Sequence, residues 1–361
     1  MIRKLTSLLI ATFLTLTAAA QDPVADRTWI ATSNKYANLL TEVNFKHHPE
    51  AASAQGLSEF DTRIAQPTLA DEDQERQETV AALAKLKGAS AEKQPREVAQ
   101  DLQIMIRRVE LGFKEADFAR AHKVSFFNAS ARVFSGLQIL LDEQTPPDRR
   151  QAAVVRIREY AGLEPGYTAI TEILKQRITE QMAKSGVIYP ARVEIETEMG
   201  RNSNYVDGIA ALMKKYNLNG WQEPFGKLKM QLADYDAWIR ATVLPKARTD
   251  FRLPPEEYAL NLEAFGIDIP PEQVAAMAHQ AFAEIQGEMK SIALTIAQQR
   301  RLPSSDYRDV VRELKKHQLV GDAILPFYEE RLKQIEKIIV EQQIVSLPER
   351  PARIRLATAA E

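Results

Sequence analysis

Residues 95–123, PREVAQDLQIMIRRVELGFKEADFARAHK, decide the fold class. Val98, Leu102, Met105, Val109 and Phe113 recur there at three- and four-residue steps, which places them on one stripe of an α-helix. At 1.5 Å per residue such a helix is roughly 40 Å long, the size of a scaffold element.

The same period runs outward in both directions. Upstream, Trp29, Ser33, Tyr36 and Leu40 share one face of a helix that follows Asp22-Pro23, a cap with proline in the first turn. A second helix is predicted over 71–87, with acids in its first turn, Lys85 and Lys87 in its last, and Gly88 at its end, an order that suits the helix dipole. Downstream, helices are expected at 128–141, 147–160, 166–184, 191–216, 224–250, 254–264, 271–301, 304–318 and 321–343. Gly/Pro/Asn punctuation at 146–147, 162–166, 186–190 and 217–224 separates them. The 271–301 segment carries Val274, Met277, Ala281, Ile285, Met289, Ile292 and Ile296 on one stripe, which predicts a core-facing helix. Only 344–347 and 352–356, separated by Pro348 and Pro351, have strand-like composition. The expected architecture is all-α, a multi-helical array of long antiparallel helices, with a short strand-like segment near the C-terminus whose open edge would invite self-association.

Composition agrees with a globular chain and excludes several classes. The 361 residues hold 47 Lys+Arg against 49 Asp+Glu, a net charge of −2, and no cysteine. Thiolate metal sites, disulfide frameworks and cysteine nucleophiles are therefore out. Without a basic excess or cluster, nucleic acid is not an expected partner.

Residues 1–20 read as a secretory signal peptide: basic Arg3 and Lys4, an apolar run over 5–17, and Ala18-Ala19-Ala20 before Gln21. Cleavage after Ala20 would leave 21–361 as one helical domain, periplasmic or secreted, with no membrane span.

The titratable residues offer no ready catalytic constellation. No pair among His47, His48, His122, His279 and His317 has the i, i+4 spacing of two zinc ligands on one helix face. His47 and His48 are adjacent and so diverge before Pro49; His279 sits beside an apolar stripe, where packing is the expected role; His122 and His317 read as solvated helix ends. Glu194, Glu196 and Glu198, with Arg201 beyond, read as a solvated or substrate-lining acidic face. Ser90-Ala91-Glu92-Lys93 fits S-x-x-K, but the companion motifs of serine enzymes of that type are missing and Ser305-Asp306-Tyr307 supplies no S-D-N. Trp221, Tyr235, Trp238, Phe327 and Tyr328 are expected in the core rather than in a ligand groove.

Beside these readings stands a resemblance. Residues 48–57, His48-Pro49-Glu50-Ala51-Ala52-Ser53-Ala54-Gln55-Gly56-Leu57, with Asp61, resemble the P-x-x-A-x-x-x-G-x-x-x-x-D signature of the bacterial family named domain of unknown function 885. Leu244-Pro245-Lys246-Ala247, Phe251-Arg252-Leu253 with Tyr258, Gly266-Ile267-Asp268 with Pro271-Glu272-Gln273-Val274, and Glu284-Ile285 with Glu288-Met289 resemble its later motifs in the same order. The resemblance implies an exported, mostly helical protein whose fold is similar to helical zinc metallopeptidases. It implies a zinc motif containing His-Glu only in a C-terminal half beyond the stretch matched here. No catalytic, cofactor-binding or metal-ligating residue of this chain is thereby assigned, and zinc is expected only for full-length members. Two functional readings follow. The chain is the N-terminal, substrate-covering helical part of an exported metallopeptidase-like hydrolase, truncated and inactive by itself, or a stand-alone non-enzymatic helical protein that binds a peptide or an envelope partner.

Overall fold

The structure, a computed structural model, describes residues 27–360, so the predicted signal peptide lies outside the described residues. Fourteen α-helices follow one another in the described residues: α1 (Thr28–His47), α2 (Pro49–Ala54), α3 (Leu69–Ser90), α4 (Arg96–His122), α5 (Ala129–Gln138), α6 (Ala152–Tyr160), α7 (Ile170–Met182), α8 (Arg192–Gly200), α9 (Asn202–Lys215), α10 (Gln222–Thr242), α11 (Pro255–Ala264), α12 (Pro271–Arg300), α13 (Tyr307–Lys315) and α14 (Ile324–Glu341). The expected all-α class is what the chain adopts.

The stripe that decides the class is buried. Val98 and Leu102 of α4 are fully covered, with Leu86 of α3, and Trp29, Tyr36 and Leu40 of α1 lie against them. Each such leucine contributes roughly 1.5–3 kcal/mol by leaving water. Ser33 donates to Asp101 across the α1–α4 contact. The N-terminus of α3 is closed by Thr68, whose hydroxyl accepts from the Asp71 N–H at 3.1 Å, with Asp71 and Glu72 in the first turn.

A larger core joins α5 to α10, centred on Leu137, Ile157, Ile178, Ile209, Leu228 and Tyr235. Gly162 turns the chain out of α6 at φ +66°, where a Cβ would stand 2.6 Å from the backbone nitrogen of Ala169, so both conformation and space require glycine. Residues 188–191 form a short extended ribbon clasped on two sides. Ile188 exchanges backbone bonds with His122 and Val124, and Pro190 and Arg192 bond to Arg248. These isolated bridges are the nearest approach to a sheet among the described residues.

Three expectations change. The 191–216 segment is two helices, α8 and α9, which meet at Arg201; Asn202 begins α9 and donates to both Asp236 carboxylate oxygens at 2.9 Å. The stripe of α12 faces water: Met277, Ile285, Met289 and Ile292 are exposed, and only Ala293 and Ala297 are buried, against Val310 of α13. The period was correct, but a period marks the apolar face without saying that anything covers it. The strand-like segment at 344–356 forms no strand. Pro348 and Pro351 each remove an N–H from any ladder, and no neighbouring strand exists among the described residues to pair with it. It runs irregularly along the surface, with Ile344 and Val345 exposed, and ends with Ala360 buried against Gly208 and Phe134.

Candidate functional site

The packing of α3, α4 and α7 leaves a groove of about 660 Å³. Its origin is local: Gly112, Ala116 and Ala119 recur on one face of α4, and their small side chains hold no volume between the helices. Leu69, Val109, Phe113 and Phe127 supply apolar walls. Most charged side chains along the groove are held in ion pairs, while Lys184 donates to the Arg120 carbonyl. Arg177 bridges Glu72 and Glu180, Arg120 pairs with Asp73 at 2.6 Å, and Arg76 pairs with Asp117 at 2.9 Å while its guanidinium lies 4.7 Å from the Phe113 ring centroid. Gln181 accepts from the Ser125 N–H at 2.8 Å and fixes the far wall. Apolar walls with an ordered, mostly paired charged lining suit an extended ligand that carries backbone amides.

Glu75 links this groove to the elbow between α1 and α2, where the carboxylates of α3 meet a basic helix end. His47 is buried, with Nδ1 2.8 Å from Asp71 and Nε2 3.2 Å from Glu78. His48 Nε2 lies 3.0 Å from Glu75; that hydrogen bond raises His48 above its ordinary value and lowers Glu75 below its own. Lys46 pairs with Glu78 and, as the largest cause, brings it down to about 2. The adjacent histidines diverge as expected, but onto three carboxylates of one α3 face.

The residues that carry the resemblance build the next turn. Ser53 donates to Asp61 at 2.6 Å, and Arg149 grips Asp61 with Nε at 2.7 Å and Nη2 at 2.6 Å while also donating to the Ser53 carbonyl. Burial works to raise Asp61, yet the bonds from Arg149 and Ser53 hold it below the usual carboxylate range. Gly56, at φ +93°, lets the chain leave α2. Asp61 of the signature thus makes a buried corner with Ser53 and Arg149, beside the exposed turn at Gly56.

The remaining sequence candidates are dispersed. His122 stacks near Phe118 with ring centroids 5.2 Å apart, while His279 and His317 are exposed on α12 and after α13. His279 therefore has no packing role. Ser90, the last residue of α3, and Lys93 beyond it are both exposed. Glu194 and Glu196 are exposed and Glu196 pairs with Arg192 at 3.4 Å, so this face is solvated. Trp221 and Tyr235 lie in the core as expected, whereas Phe327 and Tyr328 are exposed. Among the described residues no three His, Asp or Glu side chains converge in a way that could hold a metal ion, and both ring nitrogens of His47 are already engaged by carboxylates.

The sequence model of the family described as "Bacterial protein of unknown function (DUF885)" matches residues 49–361. Among solved structures, one described as "a putative lipoprotein of unknown function from Shewanella oneidensis" superposes with a TM-score of 0.55 at 15% identity, covering 88% of this chain and 59% of that one. The chain thus spans 59% of the length of that structure, and the likeness concerns the fold. No curated protein matches the sequence. Among the described residues no helix is long and apolar enough to cross a membrane.

Proposed function

Because the chain belongs to the DUF885 family, we propose that it is the N-terminal, substrate-covering helical part of an exported metallopeptidase-like hydrolase, inactive by itself, whose α3–α4–α7 groove receives the substrate peptide. The observation that supports this most is the groove: about 660 Å³ between three helices, apolar along its walls, with most of its charges held in ion pairs. A peptide brings apolar side chains for such walls and backbone carbonyls for the Lys184 ammonium. The outward apolar stripe of α12 also supports a part that packs against more protein. Export to the periplasm or beyond, with cleavage after Ala20, belongs to this proposal and rests on the composition of residues 1–20.

The test is a peptide-library binding assay on the purified chain with and without added zinc. Binding without cleavage is expected. Phe113→Ala, which removes the ring from the apolar wall, should weaken binding about tenfold or more. Peptide cleavage that depends on zinc and is lost on substituting one of the five histidines would overturn the proposal. Absence of peptide binding by the folded chain would remove the groove from it.

A further inference from the structure

A second cavity, of about 480 Å³, opens between the α1–α2 elbow, α5 and α6. Gly136 and Tyr160 line it, and polar side chains come from Asn44, His48, Glu50, Arg132 and Ser135. Glycine is required at 136, since a Cβ there would stand 2.0 Å from the Tyr160 hydroxyl.

Two opposite charges face this space without meeting each other. Glu50 accepts from the Tyr160 hydroxyl at 2.9 Å and from the Ala65 N–H at 3.1 Å, both neutral donors, and makes no ion pair among the described residues. Arg132 likewise makes no ion pair among them, and its buried Nε has no hydrogen-bond partner. Of the other charged groups nearby, Arg156 is close enough to Glu50 for their charges to interact, but they form no direct ion pair. His48 is held by Glu75, and the buried Arg156 guanidinium donates to the backbone carbonyls of Gly136 and Phe60.

We infer that this cavity binds a small zwitterion of the α-amino-acid type, its carboxylate on the Arg132 guanidinium and its ammonium on Glu50. The planar fork of arginine matches a carboxylate with two parallel hydrogen bonds. A simple anion would satisfy Arg132 but face the Glu50 carboxylate; a simple cation would satisfy Glu50 but face Arg132. In a partly desolvated cavity either unpaired contact is costly, and a ligand that carries both charges removes both. The volume lies toward the lower end of the range for small-molecule sites, as an amino acid needs. This site is separate from the groove, so its fate leaves the functional proposal untouched.

The experiment titrates the full chain with glycine, L-alanine, L-leucine and L-glutamate, reading the thermal unfolding midpoint and the heat of binding, with acetate and ethylammonium as controls. A saturable rise in the midpoint with at least one amino acid, and none with either control, is expected. Arg132→Met should abolish it, and Arg132→Lys, which keeps the charge and loses the fork, should weaken binding about tenfold or more. The lysine variant also keeps the test decisive if the methionine variant does not fold. No saturable shift with any of the four amino acids, an equal shift with acetate, or an undiminished shift in the folded variants would overturn the inference.

Discussion

At the scale of single residues, the least comfortable side chain is Glu159 of α6. It is only 4% exposed, its Oε2 has no hydrogen-bond partner, and burial drives its carboxyl from 4.5 up to about 7, against the pull of Tyr167 and Arg156. A carboxyl raised on folding favours the folded state while it holds its proton. Its contribution is complete below its unfolded value of 4.5 and is lost as pH rises through about 7. Asp236, raised by burial against its bonds from Asn202, acts in the same direction. Glu159→Gln should therefore match the parent in urea unfolding at pH 4.5 and exceed it by on the order of 2 kcal/mol at pH 8. An equal difference at both pH values would refute this account. Little at this scale was legible in the sequence. The adjacency of His47 and His48 predicts that they diverge, but their partners Asp71, Glu75 and Glu78 come from how α3 docks on α1, and no local pattern encodes that. Arg149 could not be joined to Ser53 and Asp61 either, because 96 and 88 positions separate them from it.

Helices were the most legible level, for a physical reason. A buried stripe must repeat at the helical period, so the 95–123 reading differs from α4, Arg96–His122, by one residue at each end. What the period leaves out is whether a partner exists. Leu102 on α4 is fully buried and Ile292 on α12 is 58% exposed, though both belong to equally regular stripes. Leu102→Ala should cost about 2–5 kcal/mol, and Ile292→Ala should change stability by no more than about 0.5 kcal/mol. Chemical denaturation of the two variants checks the contrast, and comparable losses would show that α12 packs against something in solution. The groove escaped the sequence reading for a related reason. Gly112, Ala116 and Ala119 look like neutral helix residues, and only the approach of α3 and α7 turns their missing volume into a cavity.

For the molecule as a whole, the apolar surface is concentrated on its later helices. Met277, Phe282 and Ile285 of α12 and Ile335 and Ile338 of α14 are exposed, and an uncovered surface of this kind favours association. Replacing Ile285, Ile292 and Ile338 with Glu should shift sedimentation toward a single monomeric species and leave the far-ultraviolet circular dichroism unchanged. Unaltered self-association in the triple variant would exclude these faces as its cause. The clasped ribbon at 188–191 acts over the same distance, and its effect is on time rather than on energy. Its bonds close two long loops, from 123 to 188 and from 191 to 248, whereas α1, α3 and α4 find one another within the first hundred or so residues. Closure of a long loop is entropically slower than local helix pairing. In folding, the α1–α3–α4 bundle therefore pairs early, and the ribbon is fastened only when the far end of its loop brings Arg248 to it.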